Sequence, residues 1–242
     1  MTRIPRPRSR RPGRGALTPN QLSVAWQSAS LLLGYPDQEL LDRFDLIDLA
    51  SHELPPSVGG PLRATLHNLA RVALVDLEAD YVDTFDNRRR HTLFLTYFAH
   101  GDTRKRGMAL LRFKQTYLAS GFELTDDELP DHLCVVLEYA ATIDRDRGRT
   151  LILDHRAGLE LLRQSLTEAD SRWAGAVEAI TATLPPLQGG TVEAIRRLAA
   201  QGPPQEEVGL SPYGAAAFDP GAAMPPSSVP LELPMPSFPG AR

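Results

Sequence analysis

The chain has 242 residues and a formal net charge of −4, with 42% hydrophobic and 23% charged residues, which is typical of a globular protein and excludes a fibrous one. Its apolar runs, such as residues 31–33 and 93–95, are far shorter than the roughly 20 residues of a membrane-spanning helix. The arginines at the N-terminus are not followed by the apolar segment of an export signal. A single cysteine, Cys134, excludes an intramolecular disulfide and suits a reducing compartment. We therefore expect a cytoplasmic protein.

The charge is unevenly distributed. Residues 1–17 contain six arginines and no acid, and residues 202–242 contain four acids and one arginine, which leaves a net charge of −7 on residues 18–201. Both terminal segments are rich in proline, with ten prolines in residues 202–242, and such compositions favour disorder. We predict one folded domain, 18–201, between disordered tails at 1–17 and 202–242. Its acidity disfavours nucleic acid, although the arginine tail leaves that alternative open, and favours a basic partner.

Helical spacing of apolar residues begins with the domain. The capping-box pattern Thr18-Pro19-Asn20-Gln21 predicts the start of a first helix, which ends at Gly34. A second helix is expected after Pro36-Asp37. A third and longer one is expected from just after Pro61 as far as Phe85.

The second half of the domain shows the same period. A short apolar stretch covers residues 93–98, and a helical run covers residues 103–121 with Gly121 as its C-terminal cap. A helix is then expected to begin with Pro130 at its first position, followed by helices at about 149–167, 171–184 and 191–200. Because no window alternates apolar and polar residues long enough for a convincing strand, the predicted fold class is all-α. We expect a single-domain helical bundle of about eight to nine helices.

The sequence lacks the common motifs of catalysis and metal binding. The six histidines show no HxxxH, HExxH or ExxH spacing, which would align two ligands on one helix face. The glycines form neither a GxxxxGK[ST] loop nor a GxGxxG loop, and no GxSxG nucleophile motif occurs. We expect no catalytic, metal or cofactor site, although a metal site built from distant histidines stays possible.

Asp131 and His132 are the most suggestive pair of adjacent polar residues. In a helix that begins at Pro130, Asp131 lies in the first turn, where the helix dipole favours a negative charge. Neighbouring helical residues point about 100° apart, so the two side chains would not face each other. A structural role at a helix start is favoured, an interaction role is the alternative, and a small helical hydrolase using this pair is the least favoured.

Residues 81–107, YVDTFDNRRRHTLFLTYFAHGDTRKRG, contain five large apolar residues within six positions, between two basic clusters. A segment that is apolar on all sides is either buried or binds a partner. Buried core is the favoured interpretation here, and a groove for an apolar partner segment is the alternative.

Four segments together resemble one family. LLGYPDQELL (32–41), YVDTFD (81–86), TLFLTYFAHGDTRKRG (92–107) and ELPDHLCVVLEYAA (128–141) are similar, in order and approximate spacing, to the nitrate reductase molybdenum cofactor assembly chaperones. This family, also called NarJ or the nitrate reductase delta subunit, belongs to the all-helical TorD/DmsD/NarJ group of redox-enzyme maturation chaperones. The resemblance covers roughly residues 18–170.

The resemblance implies a chaperone that is not an enzyme. Its partner would be the apo catalytic (alpha) subunit of respiratory nitrate reductase, including the N-terminal peptide of that subunit. The chaperone would support insertion of the molybdenum bis-guanine-dinucleotide cofactor before membrane docking, without binding the cofactor stably or inserting into the membrane, as a monomer or homodimer. A chaperone for another molybdoenzyme is the alternative.

The resemblance also implies which residues contact the client. Carried over residue by residue, the candidates are Tyr81, Phe85, Asp86, Leu93, Phe94, Tyr97, Asp102, Arg104, Arg106, Pro130, Asp131 and His132.

Overall fold

A computed structural model describes residues 17–125 and 128–204. The α-helices in these ranges are α1 Pro19–Leu33, α2 Gln38–Asp42, α3 Phe44–His52, α4 Pro56–Leu69, α5 Leu74–Tyr81, α6 Tyr97–His100, α7 Arg104–Leu118, α8 Leu133–Thr142, α9 Arg145–Asp154, α10 Arg156–Glu168, α11 Ala174–Ala182 and α12 Gly189–Gln201. A π-helix, Val82–Asp86, and a 3-10 helix, Arg89–His91, lie between α5 and α6. Over the described ranges β-type pairing is limited to one isolated bridge, so the all-α prediction is confirmed. The predicted tails lie outside these ranges, apart from residues 17 and 202–204.

The described helices number twelve rather than eight to nine because three predicted helices are each divided. The second is split at Arg43 and the helix at 149–167 is split at His155. The third begins at Pro56 instead of after Pro61, stops at Leu69, and resumes at α5. The intervening turn is four residues long, close to one helical period, so the apolar residues stay in phase and the spacing alone does not show the break.

Helix α1 lies at the centre of the bundle and begins as its sequence predicts. The Gln21 amide donates to Thr18 Oγ1 at 3.2 Å and the Thr18 amide donates to Gln21 Oε1 at 3.0 Å, which completes the capping box. Trp26 is fully buried and its Nε1 donates to Thr183 Oγ1 at 3.0 Å, joining α1 to the end of α11. Helix α1 packs most extensively against α8, whose residues are apolar on nearly every side.

Two close helix contacts depend on glycine. In α9, a methyl group added at Gly148 would lie 2.3 Å from Ala140 Cβ of α8. In α11, a methyl group at Gly175 would lie 2.5 Å from the carbonyl oxygen of Pro61 in α4. Both distances are shorter than any normal carbon contact, so these helix pairs pack closely only because the side chain is absent.

Helix α8 does not begin where the sequence predicts. It starts at Leu133, with His132 as its N-terminal cap residue, so Pro130 and Asp131 lie outside the helix. The backbone of this turn pairs instead with a distant segment: the Leu95 amide donates to the Asp131 carbonyl at 3.0 Å, and the Leu133 amide donates to the Leu93 carbonyl at 2.8 Å. The prediction of Pro130 at the first helical position is therefore wrong, because long-range backbone pairing replaces the local helix start.

Candidate functional site

The candidate site is built around the antiparallel bridge between Phe94 and His132. Their rings meet edge to face, with centroids 5.2 Å apart and planes at 73°, a geometry that aromatic rings favour. Both side chains are half-buried. The bridge thus brings together two segments that the sequence separates by more than thirty residues, and leaves part of each ring accessible.

The Asp131 side chain points in the opposite direction and is completely buried. Its Oδ2 accepts hydrogen bonds from the Thr96 amide at 3.2 Å and from Thr96 Oγ1 at 2.5 Å. Its Oδ1 is buried without a hydrogen-bond partner in the part of the chain that the structure describes. Asp131 therefore fixes the loop before α6 to the turn before α8, and its hydrogen bonds do not form an Asp-His dyad with His132.

Arg106, from the first turn of α7, packs beside Asp131 and Thr96. Its Nη2 lies 3.6 Å from Asp131 Oδ2, its Nε donates to Thr96 Oγ1 at 3.2 Å, and its Nη1 lies 3.5 Å from Asp102 Oδ1. Its guanidinium carbon is 5.2 Å from the centre of the Phe94 ring, within the range of a cation–π contact. One arginine thus links α7 to the buried carboxylate and to the half-buried aromatic ring.

The charge state of His132 follows from its surroundings. Burial lowers the pKa of His132 below its usual 6.5, and the negative charges of Asp131 and Asp86 oppose that change. Since burial is the larger effect, the ring is neutral at pH 7. A neutral imidazole on a half-buried phenyl ring presents an apolar contact with one polar edge.

Tyr81 and Phe85 lie in the core rather than on an open surface. Their ring centroids are 4.7 Å apart, and both rings pack on Trp173. The Tyr81 hydroxyl donates to the Leu33 carbonyl at 3.0 Å, and burial raises the pKa of Tyr81 well above its usual value. On the outer side, Tyr35 stacks edge to face on Tyr81 and is about half exposed, so the cluster reaches the surface through Tyr35.

The twelve predicted residues therefore form two groups. Those that are buried are Tyr81, Phe85, Leu93, Tyr97, Pro130 and Asp131. Those that are at least partly exposed are Asp86, Phe94, Asp102, Arg104, Arg106 and His132. The buried residues hold the turn and its aromatic support in place, and the second group provides the accessible atoms.

Two residues of α8 that the sequence prediction did not include follow His132 closely in the chain. Cys134 is partly buried, and the exposed Glu138 lies one helical turn later on α8. The pKa of the Cys134 thiol is raised to about 12 by burial first and then by the charges of Glu138 and Glu128. Asp86 lies on the same side, because its charge acts on both Tyr81 and His132. The i, i+4 spacing of Cys134 and Glu138 is the signal in the sequence that indicates their common face.

We use the name bridge surface for the accessible atoms of Phe94 and His132, together with Asp86, whose charge acts on His132, and with Cys134 and Glu138 in the first turns of α8. It has an apolar centre and acidic residues at its edge. Over residues 17–125 and 128–204, His, Cys, Asp and Glu side chains do not assemble into a group of three able to hold a metal ion, and no helix there is long and apolar enough to cross a membrane. An apolar centre with acidic residues beside it is the kind of surface that is complementary to an amphipathic, basic segment.

Comparison with known proteins adds a family likeness. A family model described as nitrate reductase delta subunit matches residues 51–179. The nitrate reductase-like protein NarX of Mycobacterium tuberculosis is 41% identical over 164 residues, which cover 66% of this chain but only 24% of NarX. The probable nitrate reductase molybdenum cofactor assembly chaperone NarJ of Bacillus subtilis is 33% identical over 66% of this chain and 88% of its own length. The corresponding NarJ of Escherichia coli K12 is 34% identical over 60% of this chain and 63% of its own length.

Proposed function

Because the chain belongs to the nitrate reductase delta subunit family, we propose that it is a nitrate reductase assembly chaperone and not an enzyme. Relatives from Bacillus subtilis and Escherichia coli are named as molybdenum cofactor assembly chaperones of nitrate reductase, which supports this role. The client is the apo catalytic (alpha) subunit. The chaperone binds it in the cytoplasm, as a monomer or homodimer, and supports insertion of the molybdenum bis-guanine-dinucleotide cofactor before membrane docking.

The proposed mode of binding rests on the composition of the bridge surface. Its apolar centre, Phe94 with His132, suits the apolar face of a client helix, and Asp86 and Glu138 suit basic residues beside that face. We propose that the client's N-terminal peptide binds there as an amphipathic helix. The molybdenum cofactor is cargo that the client receives, and the chaperone does not hold it stably.

The buried residues have a supporting role in this proposal. Asp131 holds Thr96 and approaches Arg106, so it sets the position of Phe94 and His132 without touching the client. Asp102, Arg104 and Arg106 lie at the start of α7, on the far side of Phe94. We propose that they contact residues of the client beyond its N-terminal helix.

Isothermal titration calorimetry tests the proposal with the full chain and a peptide of about 30 residues from the N-terminus of the alpha subunit, a length that spans one amphipathic helix and its flanks. We expect saturable binding that His132→Ala weakens by about tenfold or more, since one well-packed contact contributes about 1.4 kcal/mol. The matched control is Leu46→Ala, because Leu46 is an exposed apolar residue of α3. We expect this variant to bind the peptide with unchanged affinity.

The acidic edge is tested by charge reversal. Glu138→Lys on the bridge surface is expected to weaken binding and to reduce its dependence on salt, because one attractive charge becomes repulsive. Asp45→Lys, an exposed acid of α3, changes the net charge by the same amount and serves as control. Equal effects of both variants would show that only the overall charge matters.

The biological role is tested by complementation. The chain is expected to restore nitrate reduction in a strain that lacks its own nitrate reductase chaperone. Absence of rescue, together with absence of peptide binding in the calorimeter, would refute the proposed function. Binding to the N-terminal peptide of a different molybdoenzyme, but not to that of nitrate reductase, would identify the alternative client.

A further inference from the structure

The outer face of α7 is an exposed apolar stripe. Met108, Leu111 and Leu118 are 71%, 48% and 58% exposed. Their spacing of three and seven residues places them on one side of the helix. Only Phe113 and Tyr117 of α7 are buried, so the helix is attached to the bundle along its opposite side.

The charge of α7 is opposite to that of the domain around it. Residues 104–118 contain five cations and no acid, although residues 18–201 as a whole have a net charge of −7. At about 100° per residue, Lys105 and Arg112 lie to one side of the apolar stripe and Lys114 lies to the other. Arg112 Nη2 also lies 2.6 Å from Asp154 Oδ2 of α9. The stripe is therefore bordered by long basic side chains on both sides.

The shape of this face indicates what it contacts. The cleft beside α7, about 330 Å³, is lined by residues such as Arg112, Thr116, Arg147 and Leu151, and by none of Met108, Leu111 and Leu118. The apolar stripe itself stands on the convex side of the helix and does not continue into that cleft. A convex apolar line flanked by cations fits a flat anionic surface better than it fits a partner helix, which needs a groove.

We propose that the outer face of α7 docks on an anionic lipid bilayer. Met108, Leu111 and Leu118 enter the boundary between headgroups and acyl chains, and the flanking cations extend toward lipid phosphates. The contact is peripheral, in keeping with the lack of a membrane-spanning helix among the described residues. It does not depend on the proposed function, and it would bring the chain, with any bound client, to the membrane surface.

Vesicle flotation with the full chain tests the proposal. The vesicles contain about 30 mol% phosphatidylglycerol in phosphatidylcholine, a charge density at which basic segments are attracted to the surface. The variant Met108→Gln/Leu111→Gln/Leu118→Gln keeps the charge and the helix propensity of α7. We expect it to bind about tenfold or more weakly than the parent chain, because three partly exposed apolar side chains no longer enter the bilayer.

The matched control is Leu46→Gln/Leu49→Gln in α3, where both leucines are exposed to a similar degree, 64% and 67%, next to acidic residues. This variant is expected to bind like the parent chain. The arginines of residues 1–17 are the same in every variant, so their attraction to the vesicles does not affect the comparison.

Three outcomes would overturn the proposal. One is that the parent chain does not float with the anionic vesicles. Another is that the α7 variant floats as well as the parent chain, which would assign binding to another basic segment. The third is that the parent chain does not bind vesicles but binds an acidic protein partner, and that the α7 variant binds this partner more weakly. That result would make this face a protein-docking surface.

Discussion

Removing the Asp131 carboxylate should destabilise the domain strongly. Asp131 is fully buried, its Oδ2 accepts two hydrogen bonds from Thr96, and Arg106 Nη2 lies 3.6 Å away. In Asp131→Ala the Thr96 donors lose their acceptor, and the largely buried Arg106 guanidinium loses the buried negative charge beside it. Deleting one partner of a buried charged pair costs about 3–5 kcal/mol, and we take the lower end because Arg106 is 16% exposed. For a domain of this size, about 3 kcal/mol lowers Tm by about 6–12 °C.

Thermal unfolding followed by circular dichroism measures this loss. Asp131→Asn keeps an oxygen that can accept from Thr96 and loses only the charge, so its Tm should lie between those of the parent chain and Asp131→Ala. Asp102→Ala removes an exposed acid at 3.5 Å from the same arginine and should change Tm by less than about 2 °C. If Asp131→Ala lowers Tm no more than Asp102→Ala does, the buried carboxylate does not hold the two segments together.

Three further predictions concern packing, pH and a buried hydroxyl. Gly148→Ala should lower the free energy of unfolding by about 1–3 kcal/mol, because the added methyl group would collide with Ala140. Gly107→Ala in α7 is the control: no atom lies within 4 Å of the added methyl group, so stability should rise by up to about 1 kcal/mol. Urea unfolding of both variants measures the difference. Burial lowers the pKa of His155 below its usual 6.5, so below pH 6.5 the unfolded chain binds a proton more readily than the folded chain does. The contribution of His155 to stability should therefore be fully present above pH 6.5 and be lost as the pH falls. In His155→Gln, Tm should depend less on pH. Tyr117→Phe removes a donor at 2.7 Å from the Pro130 carbonyl oxygen and should lose about 1 kcal/mol of unfolding free energy, whereas an unchanged value would show that the hydroxyl bond has no net effect.

The parts of the fold that the sequence predicted correctly are those set by local chemistry. The start of α1 depends on Thr18 and Gln21, which lie three residues apart and satisfy each other's backbone. The all-α class depends on the period of apolar residues, which survives errors in helix ends. The turn before α8 is different, because its backbone hydrogen bonds go to Leu93 and Leu95, which lie in a distant segment. Local patterns predicted a helix start at Pro130 that does not form.

The sequence prediction named the residues of the candidate site but did not describe how they are arranged. Tyr81 and Phe85 come from the segment 81–86, and Phe94 and His132 come from two other segments of the same resemblance. The burial of Tyr81 and Phe85 depends on Trp173, which lies about ninety residues further along the chain. Periodicity does not distinguish an aromatic residue in the core from one at the surface when the segment is apolar on all sides. The structure makes that distinction, and it leaves the role of each exposed residue in binding as a prediction.

Separating Asp131 from His132 changes how a mutation in this turn is interpreted. The two residues are adjacent, yet one side chain is buried against Thr96 and the other lies half-exposed on Phe94. A variant of Asp131 alters client affinity only through the position of its neighbours, so affinity and stability should fall together. A variant of His132 removes a surface contact and leaves the Thr96 bonds intact, so affinity should fall further than stability. The ratio of the two losses therefore tells a supporting residue from a contacting one.

Net charge is a second property whose meaning depends on position. The acidity of residues 18–201 predicts a basic partner, and Asp86 and Glu138 are the acids that such a partner would meet at the bridge surface. The same average conceals α7, which contains five cations and no acid. Charges act mainly within about one Debye length, roughly 8–10 Å, so each surface attracts partners by its own residues and not by the sum over the domain. The two proposals, a basic peptide on the bridge surface and an anionic bilayer on α7, are therefore compatible within one chain.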